Sequence, residues 1–216
     1  MAEVWELLGE ALRLYPNLFD GVDKTAAEML EPALGVAALA GASTVLGHIA
    51  VLLVNRVHGI RLVVSMLLSI VMFGLLYVLQ AVVTWTFGSI VTQRPLPLLP
   101  LIVVALTATA PLVFNFATIL PHIGMLIGRG LQAWAFLVFV LGIMVAYGAT
   151  FWAAFLFSLA GWLAIQVLSR VLQKPLGWAA SRLWTLVTGT PTMLTADDIL
   201  SGMPFVPVST ESTVTR

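Results

Sequence analysis

The chain has 216 residues, 60% hydrophobic and only 9% charged, with ten basic and ten acidic side chains and a formal net charge of zero. Soluble domains carry about 25% charged residues, whereas here no Asp or Glu occurs between Glu31 and Asp197. A water-exposed surface of that extent without carboxylates is excluded, because solubility needs charge, so the composition is that of an integral membrane protein.

The opening "MAEVWELLGEALRLYPNLF" is acidic and patterned for an amphipathic helix. A signal peptide would need a basic start, an apolar core and then small residues. Residues 2 to 31 carry seven acids and two bases, with Val4, Leu7, Leu8, Ala11 and Leu12 at helical spacing. That pattern suits a helix lying on a membrane or a partner surface.

Crossing a bilayer core of ~30 Å takes ~20 apolar residues. Stretches of that kind run over 33–54, 62–84, 98–120, 124–147 and 150–169, which predicts an all-α bundle of about five transmembrane helices. "NRVHGIR" and "FGSIVTQRPLP" separate the first three spans. Pro111 lies inside the third and would kink it, so four spans with a re-entrant segment is the alternative. Residues 172–190, with Trp178, Arg182 and Trp184, resemble a second interfacial helix, and the tail over 191–216 is expected to be flexible. Within that tail, "TADDIL" would start a short helix capped by Thr195, placing Asp197 and Asp198 as candidate docking residues with Trp178 and Trp184.

Several chemistries are missing. Proton and cation transporters use buried carboxylate or histidine relays, and a charge at the bilayer centre costs ~2.5–3.5 kcal/mol even on the lenient scale. No acid is available for that role between residues 33 and 171, and His48, His58 and His122 share no metal-ligand spacing. Without cysteine there are no disulfides, thiol chemistry or cysteine metal sites. No nucleotide-binding glycine loop, nucleophile with its base, or zinc-protease motif occurs, so neither catalysis, a metal, a cofactor nor a nucleic-acid partner is expected. His48, Gln80, Asn115, Gln132 and Gln166 are the candidate intramembrane polar residues. The plainer reading makes them interhelical hydrogen bonds, worth ~1–2 kcal/mol or less; the sharper one gathers them around a solute path.

Small residues carry a different signal. "GMLIG" at 124–128 is a GxxxG, and Ala37/Gly41 and Ser43/Gly47 repeat that spacing in the first span. Missing side chains let helix backbones approach closely, so Gly41, Gly47, Gly124, Gly128 and Gly130 are candidate packing positions, within the bundle or in a homo-oligomer.

The order of these elements resembles the YIP (Ypt-interacting protein) domain family in its prokaryotic, especially cyanobacterial, form. The resemblance rests on Ala110-Pro111, Asn115-Phe116, Pro121, Gly124, Trp134 and Gly161-Trp162, and covers about residues 12 to 172. It implies a compact five-helix membrane domain, in which "NFATILPHIGMLIGRGLQAW" is a helix end, a polar turn and a restart. Eukaryotic members bind small GTPases and carry an Asp-Leu-Tyr-Gly-Pro motif; the nearest text here is "LYPNLF", so the resemblance does not extend to GTPase binding. The family also implies a cytosolic N-terminus. Lys and Arg instead divide three to six, with Arg56, Arg61, Arg129, Arg170, Lys174 and Arg182 on the C-terminal side of a five-span topology. The two disagree, and orientation stays open.

The leading expectation is a non-enzymatic membrane protein that organises or adapts other membrane proteins, as an accessory subunit of a larger, photosynthetic complex in a thylakoid or bacterial inner membrane. A small-solute or lipid transporter or channel, and a bilayer-shaping protein acting through its amphipathic ends, are the alternatives. Bound lipid or pigment in apolar grooves beside the tryptophans is compatible with the sequence, though nothing in it specifies one.

Overall fold

The computed structural model describes residues 2–54, 60–93, 96–120, 123–164 and 167. Their regular structure is all helical: α1 (Ala2–Leu12), a 3-10 turn (Pro16–Phe19), α2 (Val22–Val54), α3 (Ile60–Thr92), α4 (Leu98–Thr107), a 3-10 helix (Ala110–Ile119) and α5 (Gly124–Tyr147). A shorter apolar helix, α6 (Phe151–Ala164), follows. Among the described residues, four segments are long and apolar enough to cross a membrane, namely Thr25–Leu46, Met66–Thr92, Leu98–Ile119 and Gly124–Tyr147. The expected span over 150–169 falls on α6 and then runs into residues outside the described ones, as do Gln166, Trp178, Trp184, Asp197 and Asp198.

The acidic N-terminal segment is not one helix. α1 stops at a turn in which Leu14 adopts a left-handed φ of 53°. There the Leu14 N–H bonds the Ala11 carbonyl at 3.2 Å and the Tyr15 N–H bonds the Glu10 carbonyl at 3.1 Å, the paired closure of a Schellman motif. After the Pro16–Phe19 turn, Gly21 takes φ 71° and the chain enters α2. Residues 22–31 therefore belong to α2, which continues through Pro32 without a break. α1 packs on α2 with Leu7, Leu8 and Ala11 buried, and Phe19 and Val22 are fully enclosed at the foot of the pair.

The third span is the centre of the bundle. In its most apolar stretch 67% of the residues are buried, against 6% for α3. It is also broken. The α-helical bonding stops at Thr107, and the chain resumes at Ala110 as a ten-residue 3-10 helix. Pro111 explains the change, since it has no N–H to give to the turn before it and its ring crowds that turn. The break is closed locally by Ala108 N–H to Val104 O at 2.9 Å, and by the Thr109 hydroxyl donating to Leu106 O at 2.7 Å. At the far end Leu120, ahead of Pro121, is extended (φ −66°, ψ 119°), which ends the helix.

α2, α4, the second 3-10 helix and α5 enclose the main core, around Val103, Val104, Leu106, Val138 and Phe139. α3 lies on the outside, with Val71, Leu75 and Ile90 among its exposed apolar side chains. An apolar helix of this kind, bare along most of its length, faces lipid tails comfortably and water poorly.

Glycine positions separate into close contacts and open ones. A Cβ on Gly124 would overlap the Thr118 carbonyl oxygen, one on Gly128 would stand 3.3 Å from Thr118 Cγ2, and one on Gly41 3.3 Å from the Ile70 backbone. Gly130 has nothing within 4 Å and is exposed, so it is not a packing position in this chain. Spacing alone does not say which side of a helix meets a neighbour; Gly130 meets none within the chain, and contact between copies is the other place its spacing allows. Gly47 is on α2, but its side-chain surroundings lie outside what is described. The same substitution should therefore have opposite consequences at two helical glycines. Gly124→Ala must displace backbone and should destabilise by about 1–3 kcal/mol, while Gly130→Ala should be neutral or stabilise by up to about 1 kcal/mol; thermal unfolding in detergent measures both.

Candidate functional site

Three places combine polar chemistry with a defined geometry. The first joins α2 to the second 3-10 helix. Thr44 donates its hydroxyl to Ala40 O at 2.9 Å and accepts the Asn115 amide Nδ2–H at 3.1 Å, so donor and acceptor are both used. One residue away, Ser43 Oγ accepts the backbone N–H of Phe116 at 3.0 Å. The Asn115 carbonyl in turn accepts the Thr118 hydroxyl at 2.7 Å. These bonds form an interhelical joint between α2 and the second 3-10 helix.

The second is a cavity of about 470 Å³ at the end of the bundle where α3 finishes, α4 begins and α5 gives way to α6. Two aromatic side chains are fastened to the connection between α3 and α4. The Trp85 indole N–H donates to Leu96 O at 2.7 Å, and the Tyr147 hydroxyl donates to Pro97 O at 2.7 Å. Leu101, Ile143, Ala153 and Phe157 line the interior. Gly148, with φ 60°, lets α5 stop and α6 begin beside it.

The third is a groove of about 270 Å³ between α1 and α2, rimmed by Glu3, Glu6, Glu10 and Glu28 over Leu7, Leu18 and Met29. Val4 anchors α1 above it, its Cγ2 standing 2.8 Å from where a Cβ of Gly35 would be. None of these carboxylates forms an ion pair or hydrogen bond among the described residues. Nor do any three His, Asp or Glu side chains among those residues stand where they could hold a metal ion.

The five candidate polar residues do not converge on one place as far as they are described. Asn115 is committed to Thr44, Gln80 is half-buried on α3, and Gln132 is exposed on α5; none of the three borders the large cavity. His48 is on α2 with its side chain outside the description, and Gln166 is outside the described residues altogether. Sequence reading missed two close helix contacts. A Cβ on Gly142 would collide with Val104 Cγ1, and one on Gly161 with the Thr84 hydroxyl. Gly142 and Ala146 do carry the small-residue spacing, in "GIMVA", so the signal for that contact was present. Trp85 and Tyr147 gave no such sign, because their partners are backbone carbonyls of the connection.

Comparison with known proteins assigns no family: no family model matches the chain, and no curated protein or solved structure is significantly similar to it.

If the Thr44–Asn115 bond clamps the 3-10 helix, a double-mutant cycle with Thr44→Ala and Asn115→Ala will show a coupling of about 0.5–1.5 kcal/mol. Thermal or denaturant unfolding in detergent supplies the four stabilities, and strictly additive losses would mean the bond holds nothing.

Proposed function

We propose that this chain is a non-enzymatic integral membrane protein of YIP type, which organises or adapts other membrane proteins as an accessory subunit of a larger membrane complex. One observation carries the reading: the acidic head. Its apolar face is already used, with Leu7, Leu8 and Ala11 buried on the bundle, yet the carboxylates of Glu3, Glu6, Glu10 and Glu28 stand together over an apolar floor without a cation among the described residues. A surface arranged in that way is complementary to a partner bearing Lys or Arg beside apolar side chains. The joint between α2 and the 3-10 helix supports a scaffold role as well, because its hydrogen bonds hold two helices together. No observation favours solute transport, and the membrane housing the protein is proposed, as before, to be a thylakoid or bacterial inner membrane.

The head, and not the tail alone, is the docking element in this proposal. Extraction in mild detergent, native gel separation and mass spectrometry of the same band should place the chain in a particle much larger than itself, at fixed stoichiometry. Replacing Glu3, Glu6 and Glu10 together with Gln should release it from that particle without altering its thermal unfolding. Deleting residues 191–216, which include Asp197 and Asp198, should weaken the association while leaving the bundle folded. A wild-type chain that runs alone or as a small homo-oligomer would remove the adaptor reading.

A further inference from the structure

We infer that the cavity between the end of α3, the start of α4, the end of α5 and the start of α6 is a binding site for one hydrocarbon chain of a bilayer lipid. Its volume of about 470 Å³ lies within the ~300–1,000 Å³ range of small-molecule sites. Among the described residues no charged side chain lines it.

The decisive point is what has become of the polar groups in its wall. Four side chains carry a polar hydrogen: Thr84, Trp85, Thr92 and Tyr147. The Trp85 N–H is given to Leu96 O and the Tyr147 O–H to Pro97 O, each at 2.7 Å, while the Thr92 hydroxyl is turned back onto Gly88 O at 2.7 Å. The Thr84 hydroxyl has no hydrogen-bond partner, but its oxygen is fully buried against α6, where a Cβ of Gly161 would stand. Three of the four side-chain donors are therefore spent, and the fourth is enclosed by packing. Water entering a cavity needs two to four polar partners, and a polar solute would need the same. Hydrocarbon needs only the dispersion contacts that Leu101, Ile143, Phe157 and the aromatic faces supply. The surrounding bilayer is the source of such chains, and the two aromatic-to-backbone bonds hold the wall preformed, which limits the ordering cost of binding.

The experiment is native mass spectrometry of the full chain released from mild detergent, with the retained lipid counted and identified. The wild-type protein should carry one lipid per chain. Ala153→Phe and Gly88→Val fill the cavity from opposite walls, and each should cut the lipid-bound fraction about tenfold or more. Met125→Phe, at an exposed position on α5 away from the cavity, should leave it unchanged. Thermal unfolding identifies any variant that fails to fold, and the other filling variant then carries the test. A wild-type protein that emerges free of lipid, or folded filling variants that retain lipid as wild type does, would overturn the assignment. The outcome is independent of whether a protein partner docks on the acidic head.

Discussion

Within a bilayer no water is available to a backbone group that leaves its helix, and each group left unsatisfied costs several kcal/mol. The third span of this chain leaves its α-helix at Thr107 and continues as a 3-10 helix, and every residue of the break, 107–112, is buried in protein. That constraint organises the remainder. The broken span takes the centre, α2 and α5 pack along it, and the Ser43 and Thr44 hydroxyls on α2 take up Phe116 N–H and the Asn115 amide. α3, unbroken and largely apolar, is left for the periphery, where its exposed apolar side chains need no partner but lipid.

The same arrangement makes the two ends of the bundle unlike one another. At the end bearing the N-terminus, α1 and the Pro16–Phe19 turn fold back on α2, and the turn reaches α5. Their apolar residues extend the core past the 3-10 break, while the carboxylates collect on the outer side. The connection from α3 to α4 is held at that end by Trp85 and Tyr147, which bond its carbonyls and so open a space beneath. An acidic groove and a largely apolar cavity thus lie at the same end of the bundle. The first has chemistry suited to a cationic protein segment, the second to a hydrocarbon chain.

Much of the architecture was legible in the sequence because the solvent dictates it. A long apolar stretch without charge has few folded options, so an all-helical membrane bundle followed from composition, and Pro111 marked where the third span would be disturbed. Two things were less legible. Helix limits in the head were obscured by Pro32, which reads as a boundary but sits inside α2, and by Leu14, a residue that rarely takes a left-handed turn. Contact partners were also hidden, since spacing marks glycines that could pack without saying what they face. Gly124 meets Thr118 and Gly130 meets nothing, although both belong to one glycine-rich run. The cavity was invisible in principle: the groups that define it are tied to backbone carbonyls, which carry no side-chain signature.

The proposal that the carboxylates of α1 face another protein is open to a direct test. A photo-crosslinking amino acid introduced in place of Glu6, activated in native membranes and followed by mass spectrometry of the products, tests this directly. One dominant adduct with a different membrane protein is expected, at a site rich in Lys or Arg, with loss of that adduct when the crosslinker is moved to the exposed Val71 on α3. Adducts confined to lipid, or to a second copy of this chain, would contradict it.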